Sequence, residues 1–68
     1  MEKEKLFMIE KIIRTWVSNN KDNLVNYQDI IDDAIPELSG DEVDEAILHW
    51  KSRGVIYEPK HKRYGIVY

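Results

Sequence analysis

The sequence predicts an α+β domain in which three helices share one core with a small antiparallel sheet. Three observations carry that expectation. Leu6, Ile9, Ile13, Trp16 and Val17, with Ile12 beside them, recur at helical spacing near the start of the chain. Ser39-Gly40-Asp41-Glu42 has the pattern of a capping box ahead of a second periodic run. The closing stretch GVIYEPKHKRYGIVY, Gly54 to Tyr68, sets two β-rich apolar runs around a polar, basic middle.

Taken in order, the first stripe predicts a helix over residues 3–18, ending at Asn19-Asn20, whose short polar side chains favour turns. Phe7 and Met8 fall off that stripe, free to pack on a neighbouring element or to meet a partner. Leu24 and Val25 are too few for a helix and read as a very short strand. Asn26 is placed to cap a second helix, with Asp29 in its first turn at the positive dipole end. Tyr27, Ile30, Ile31, Ala34 and Ile35 form its expected buried stripe, and Pro36 stops it. The third helix starts at the Ser39 cap and buries Val43, Ala46, Ile47 and Trp50, at i, i+3, i+4 and i+7. Gly54 is its left-handed stop. A hairpin follows, Val55–Glu58 and Tyr64–Val67, around a tip of five residues. Helix, short strand, helix, helix, strand, strand is the winged helix-turn-helix order, with the hairpin as the wing.

Sixty-eight residues make one domain, 1–68. A chain this short buries only about 60% of its unfolded surface, so each large apolar residue counts. There is no cysteine, which removes disulfides, thiolate metal sites and cysteine nucleophiles. No apolar run approaches the roughly 18 residues of a membrane span, and MEKEK leads into no signal-peptide core. The expectation is a cytoplasmic, nucleoid-associated protein with no membrane contact. The net charge of −3 is strongly polarised: +1 over residues 1–23, −8 over 24–45 and +4 over 46–68. A basic end can meet a polyanion while the acidic middle faces elsewhere.

Catalytic patterns are missing. Ser18, Ser39 and Ser52 sit in no nucleophile elbow, and His49 and His61 lack metal-ligand spacing. The cluster Asp41, Glu42, Asp44 and Glu45 has no calcium-loop pattern and is explained by the dipole of a helix start. No glycine-rich phosphate loop occurs among Gly40, Gly54 and Gly65. The expectation is a domain that is not itself an enzyme and needs no cofactor or metal.

Trp50-Lys51-Ser52-Arg53-Gly54 followed by Val55-Ile56-Tyr57-Glu58-Pro59, with Tyr64 six residues after Glu58, resembles the C-terminal winged-helix domain of archaeal minichromosome maintenance (MCM) replicative helicases. SGDEVDEAILHW is similar in pattern too, so the resemblance covers the last thirty residues closely and the rest by fold alone. Ile56-Tyr57-Glu58-Pro59 is its informative piece. The wing tip departs from the family, with His61-Lys62-Arg63 where a Pro-Gly type turn is expected. The resemblance implies an accessory domain of a ring-shaped, ATP-dependent DNA helicase, whose ATPase lies in other domains. It also implies contacts with the helicase core, replication initiator proteins or DNA.

A winged helix commonly reads DNA with the outward face of its third helix. At about 100° per residue that face carries Asp41, Glu45, Leu48 and Ser52, with Asp44 to one side. Carboxylates there would repel phosphates, and the set lacks the Arg or Asn forks that read base edges. The wing is different. Lys60, His61, Lys62 and Arg63, with Lys51 and Arg53 at the adjoining helix end, are the candidate contacts for weak, sequence-independent DNA binding. Tyr57 and Tyr64 are stacking faces if exposed and core residues otherwise. The competing reading makes the basic tip a guard for an exposed hairpin edge. Phe7, Met8 and Leu48 are the candidate protein contacts. The sequence therefore points to a monomeric, regulatory winged-helix module of a DNA-replication helicase; the alternative is a free-standing winged-helix DNA-binding transcriptional regulator.

Overall fold

The computed structural model describes residues 1–67. Helix α1 spans Lys3–Asn19 and buries Ile9, Ile13 and Val17 completely. Asn20 leaves the helix in an extended conformation, and its side-chain amide donates to the Leu24 carbonyl at 2.7 Å. Asp22 accepts from the Leu24 N–H at 3.1 Å, closing the turn that Asn19-Asn20 foretold. Trp16 is only half-buried: it packs against the core while its indole N–H reaches the exposed carboxylate of Asp33 at 2.7 Å.

Strand β1 is Val25–Asn26, and helix α2 is Tyr27–Ala34. Asn26 holds the cap position but makes no side-chain cap bond; the Tyr27 N–H donates instead to the Lys62 carbonyl at 2.9 Å. Ile35 corrects the expected stripe, since it is 52% exposed. The residue before Pro36 is driven to extended backbone, which turns its side chain off the helix's buried face.

Helix α3, Gly40–Ser52, begins with the capping box complete. The Glu42 N–H donates to Ser39 Oγ at 3.2 Å, and the Ser39 N–H donates to Glu42 Oε1 at 3.0 Å. Leu38, just ahead of the cap, is buried with Val43 in the arrangement of a hydrophobic staple. Val43, Ala46, Ile47 and Trp50 are buried as the spacing requires, and Gly54 takes φ +75° to end the helix.

Strands β2 (Ile56–Lys60) and β3 (Arg63–Ile66) form the hairpin, and β1 adds to the far side of β3, giving the antiparallel order β1-β3-β2. The expected five-residue tip is corrected to two residues, His61-Lys62. The pairing runs Tyr57↔Gly65 and then Lys60↔Arg63, so β2 carries one extra residue between them. Pro59 falls in that irregularity on an edge strand, where a missing N–H costs no ladder bond. Ile56, Tyr64 and Ile66 face the helices and close one core with α1, α2 and α3. The result is an α+β winged-helix arrangement: three helices, a small three-stranded sheet and a C-terminal hairpin wing.

Candidate functional site

The wing is strapped down. Glu58 accepts from Lys51 Nζ at 2.7 Å with one oxygen and from the Lys62 backbone N–H at 2.8 Å with the other. These donors hold its carboxyl below the ordinary 4.5, the Lys51 bond most of all, with the Lys62 N–H next and a smaller pull from His61. Lys62 sits at φ +61°, a conformation a lysine tolerates only when its surroundings hold it there. Its N–H is bound by Glu58, its carbonyl by the Tyr27 N–H, and its ammonium lies 4.1 Å from the centre of the Tyr27 ring. Arg63 turns inward to pair with Asp22 beside β1.

This geometry sorts the candidate DNA contacts. Lys51 and Arg63 have carboxylate partners at the surface, so each must loosen an ion pair before it can meet a phosphate. Lys62 is fixed over an aromatic face but remains exposed, and Lys60 and His61 are exposed beside it. Among the described residues, Lys60, Lys62 and His61 form no ion pair. The tip therefore presents two ammonium groups without carboxylate partners, that of Lys62 over the Tyr27 ring, and an imidazole. Tyr64 is 6% exposed and belongs to the core, so it offers no stacking face; Tyr57 is 45% exposed and stays available.

Helix α3 turns the expected face outward: Asp41, Asp44, Glu45, Leu48 and Ser52 are all exposed, Leu48 at 65%. Asp44 accepts a hydrogen bond from the Tyr27 hydroxyl, which, with burial, pushes that phenol up to about 12. Lys5 pairs with Glu42 and takes one carboxylate of the helix start out of play. The rest of the face stays acidic.

The candidate protein contacts separate. Leu48 stands alone on the acidic face. Met8 is half-buried and packs against the core, whereas Phe7 is 55% exposed, its ring 5.5 Å from that of Trp50. Phe7, Trp50, Leu6 and His49, with Lys3 and Arg53, line a cleft of ≈ 340 Å³ between the start of α1 and the end of α3. Arg53 thus belongs to this cleft as well as to the helix end next to the wing. Sequence spacing had no means of finding the cleft, because Phe7 and His49 lie 42 positions apart and off both buried stripes. Among the described residues no three His, Asp or Glu side chains gather as a metal site. No described helix is long and apolar enough to cross a membrane. Comparison of the chain with protein-family models, curated proteins and solved structures finds no match.

Proposed function

We propose that the chain is a non-catalytic winged-helix module that touches nucleic acid through its wing without reading sequence. In this reading it serves an MCM-type DNA-replication helicase as a regulatory accessory domain, acting also through contacts with the helicase core or initiator proteins. The observation that carries the nucleic-acid part is the fixing of Lys62. Its backbone and ammonium are held by Glu58 and Tyr27, so the tip meets a phosphate with little further loss of chain entropy. Phosphate contact of this kind positions a protein on DNA but carries no sequence information. The acidic outer face of α3 supports the same conclusion, because a duplex seated on it would meet Asp41, Asp44 and Glu45. That face also counts against a free-standing sequence-specific regulator.

The helicase part rests on the resemblance of Gly54–Pro59 and the helix before it. Fluorescence anisotropy with a labelled duplex and a labelled single strand tests the nucleic-acid part. Binding should be weak and indifferent to sequence, and should fall steeply as salt rises from about 50 to 200 mM. No binding at the lower salt, or a marked preference for one duplex sequence, contradicts it. The reading frame around the chain tests the helicase part: an ATPase encoded upstream in the same frame is expected, and a stop codon ahead of Met1 favours the regulator.

A further inference from the structure

We infer that the cleft between α1 and α3 is a docking site for an acidic protein segment carrying one large apolar anchor. The inference rests on the protein-contact half of the function proposed above and is independent of the wing. The floor of the cleft is Trp50, 9% exposed, whose indole N–H already donates to the Leu6 carbonyl at 2.8 Å. One wall is Phe7, with more than half of its surface in water, and the other is His49, edge-on to Trp50 at 4.8 Å. An aromatic hollow of this kind takes a leucine, phenylalanine or tryptophan anchor, the type of residue on which interfaces concentrate their binding energy.

The rim states the sign of the partner. Lys3 and Arg53 line the cleft, and neither has an ion-pair partner among the described residues. Lys5, Arg14, Lys51 and Arg63, by contrast, are each paired within the fold. Glu2 and Glu4 line a separate hollow that shares Lys3, and neither lines the cleft. Two unspent cations at the mouth of an apolar hollow favour carboxylates flanking an apolar side chain. A nucleic-acid strand carries the right charge but the wrong core. A base can stack on an aromatic ring without edge readout. Inside this hollow, however, its polar edges would be buried against apolar walls, with the indole donor on the floor already taken. An amphipathic helix with acidic flanks fits both features.

The test is selection of a phage-displayed random peptide library on the folded domain, followed by amide-shift mapping with the synthesised winners. Enriched peptides should carry Asp or Glu around a single Leu, Phe or Trp, and should shift the resonances of Phe7, Trp50 and Arg53. Phe7→Ser, at an exposed position that leaves the core intact, should weaken them by about tenfold or more. Arg53→Glu should weaken them comparably, and Lys60→Ala with Lys62→Ala should leave them unchanged. Loss of peptide binding therefore reports on the cleft, and loss of oligonucleotide binding reports on the wing. Four outcomes overturn the inference: no enrichment; basic winners that shift α2 and the outer face of α3; an oligothymidylate that shifts Phe7 and Trp50 and is lost in Phe7→Ser; or concentration-dependent self-association of the domain that Phe7→Ser abolishes.

Discussion

The ring of Tyr57 packs against Gly65, its partner on the neighbouring strand. A Cβ added at position 65 would meet Tyr57 Cε1 at 2.6 Å and Leu24 Cδ2 at 3.1 Å. The glycine is there for space, and the tyrosine covers the gap it leaves in the sheet. Gly65→Ala should destabilise the domain by about 1–3 kcal/mol, as overpacking does, and should swing the Tyr57 ring into solvent. Chemical denaturation measures the first effect, and ring-proton shifts of Tyr57 report the second. In a Tyr57→Ala background the cost of Gly65→Ala should shrink, because the clashing ring is gone. An undiminished cost there would place the clash at Leu24.

Trp50 joins α3 to α1 through buried area and through its bond to the Leu6 carbonyl. Trp50→Ala should cost about 3–5 kcal/mol, the range for a large aromatic leaving a cavity. That is a large share of the stability of so small a domain, so a drop of many degrees in melting temperature is expected. A melting temperature that hardly moves would mean that the floor of the cleft is not part of the core.

Acid should loosen the wing. The carboxyls of Glu58 and Glu42 lie below their ordinary 4.5 in the fold, held down first by Lys51 and Lys5 respectively. A group depressed on folding contributes fully above its unfolded value and loses that contribution as pH falls through its folded value. From these two groups stability should be level between pH 4.5 and neutrality and decline below it, by a modest amount because both pairs remain partly open to solvent. Glu58→Gln should remove part of that decline and broaden the Lys62 amide resonance at neutral pH. Thermal melts across the acid range decide this, and an unchanged pH profile in Glu58→Gln would contradict the role of Glu58 as the wing's clamp.

The helices were legible because each buries a stripe whose period is set by backbone geometry, and the cap of α3 because Ser39 and Glu42 satisfy each other locally. Leu38 was missed although its position ahead of the cap is itself a local signal. The hairpin tip is shorter than the sequence suggests because β2 continues through Pro59, which a one-residue bulge on an edge strand absorbs. What sequence order hides is pairing across the fold: Arg63 with Asp22, Lys62 over Tyr27, Phe7 beside Trp50. Those pairings divide a run of cations that looks uniform as text. The structure also gives Ile56-Tyr57-Glu58-Pro59 a constructional task apiece, as core residue, cover for Gly65, clamp and edge bulge. The motif thus speaks to the building of a wing more directly than to what the wing touches.

The acidic face of α3 should be inert toward DNA. Replacing Asp41 and Glu45 by Ala removes two exposed carboxylates that are in no ion pair among the described residues. Affinity for a duplex should stay the same or rise slightly as repulsion is relieved. A clear loss, with the helical signal intact by circular dichroism, would show that this helix reads DNA after all.

The wing's cations should not be equivalent. Arg63 is half-buried against Asp22, so Arg63→Ala should disturb the wing's root and lower the melting temperature while leaving the salt dependence of oligonucleotide binding nearly unchanged. Lys60 and Lys62 are exposed and unpaired by carboxylates, and each releases about one counterion when it meets a phosphate. The log–log salt slope for a duplex should then lie near −2, and exchanging both lysines for Ala should flatten it toward zero. The −8 segment, residues 24–45, acts on DNA from outside the hairpin, and screening over about 10 Å at 0.1 M salt leaves the tip to act locally. Anisotropy titrations of the wild type, the double lysine variant and Arg63→Ala at several salt concentrations separate the two roles. A slope that falls with Arg63→Ala and persists without the lysines would reverse the assignment and move the contact from the tip of the wing to its root.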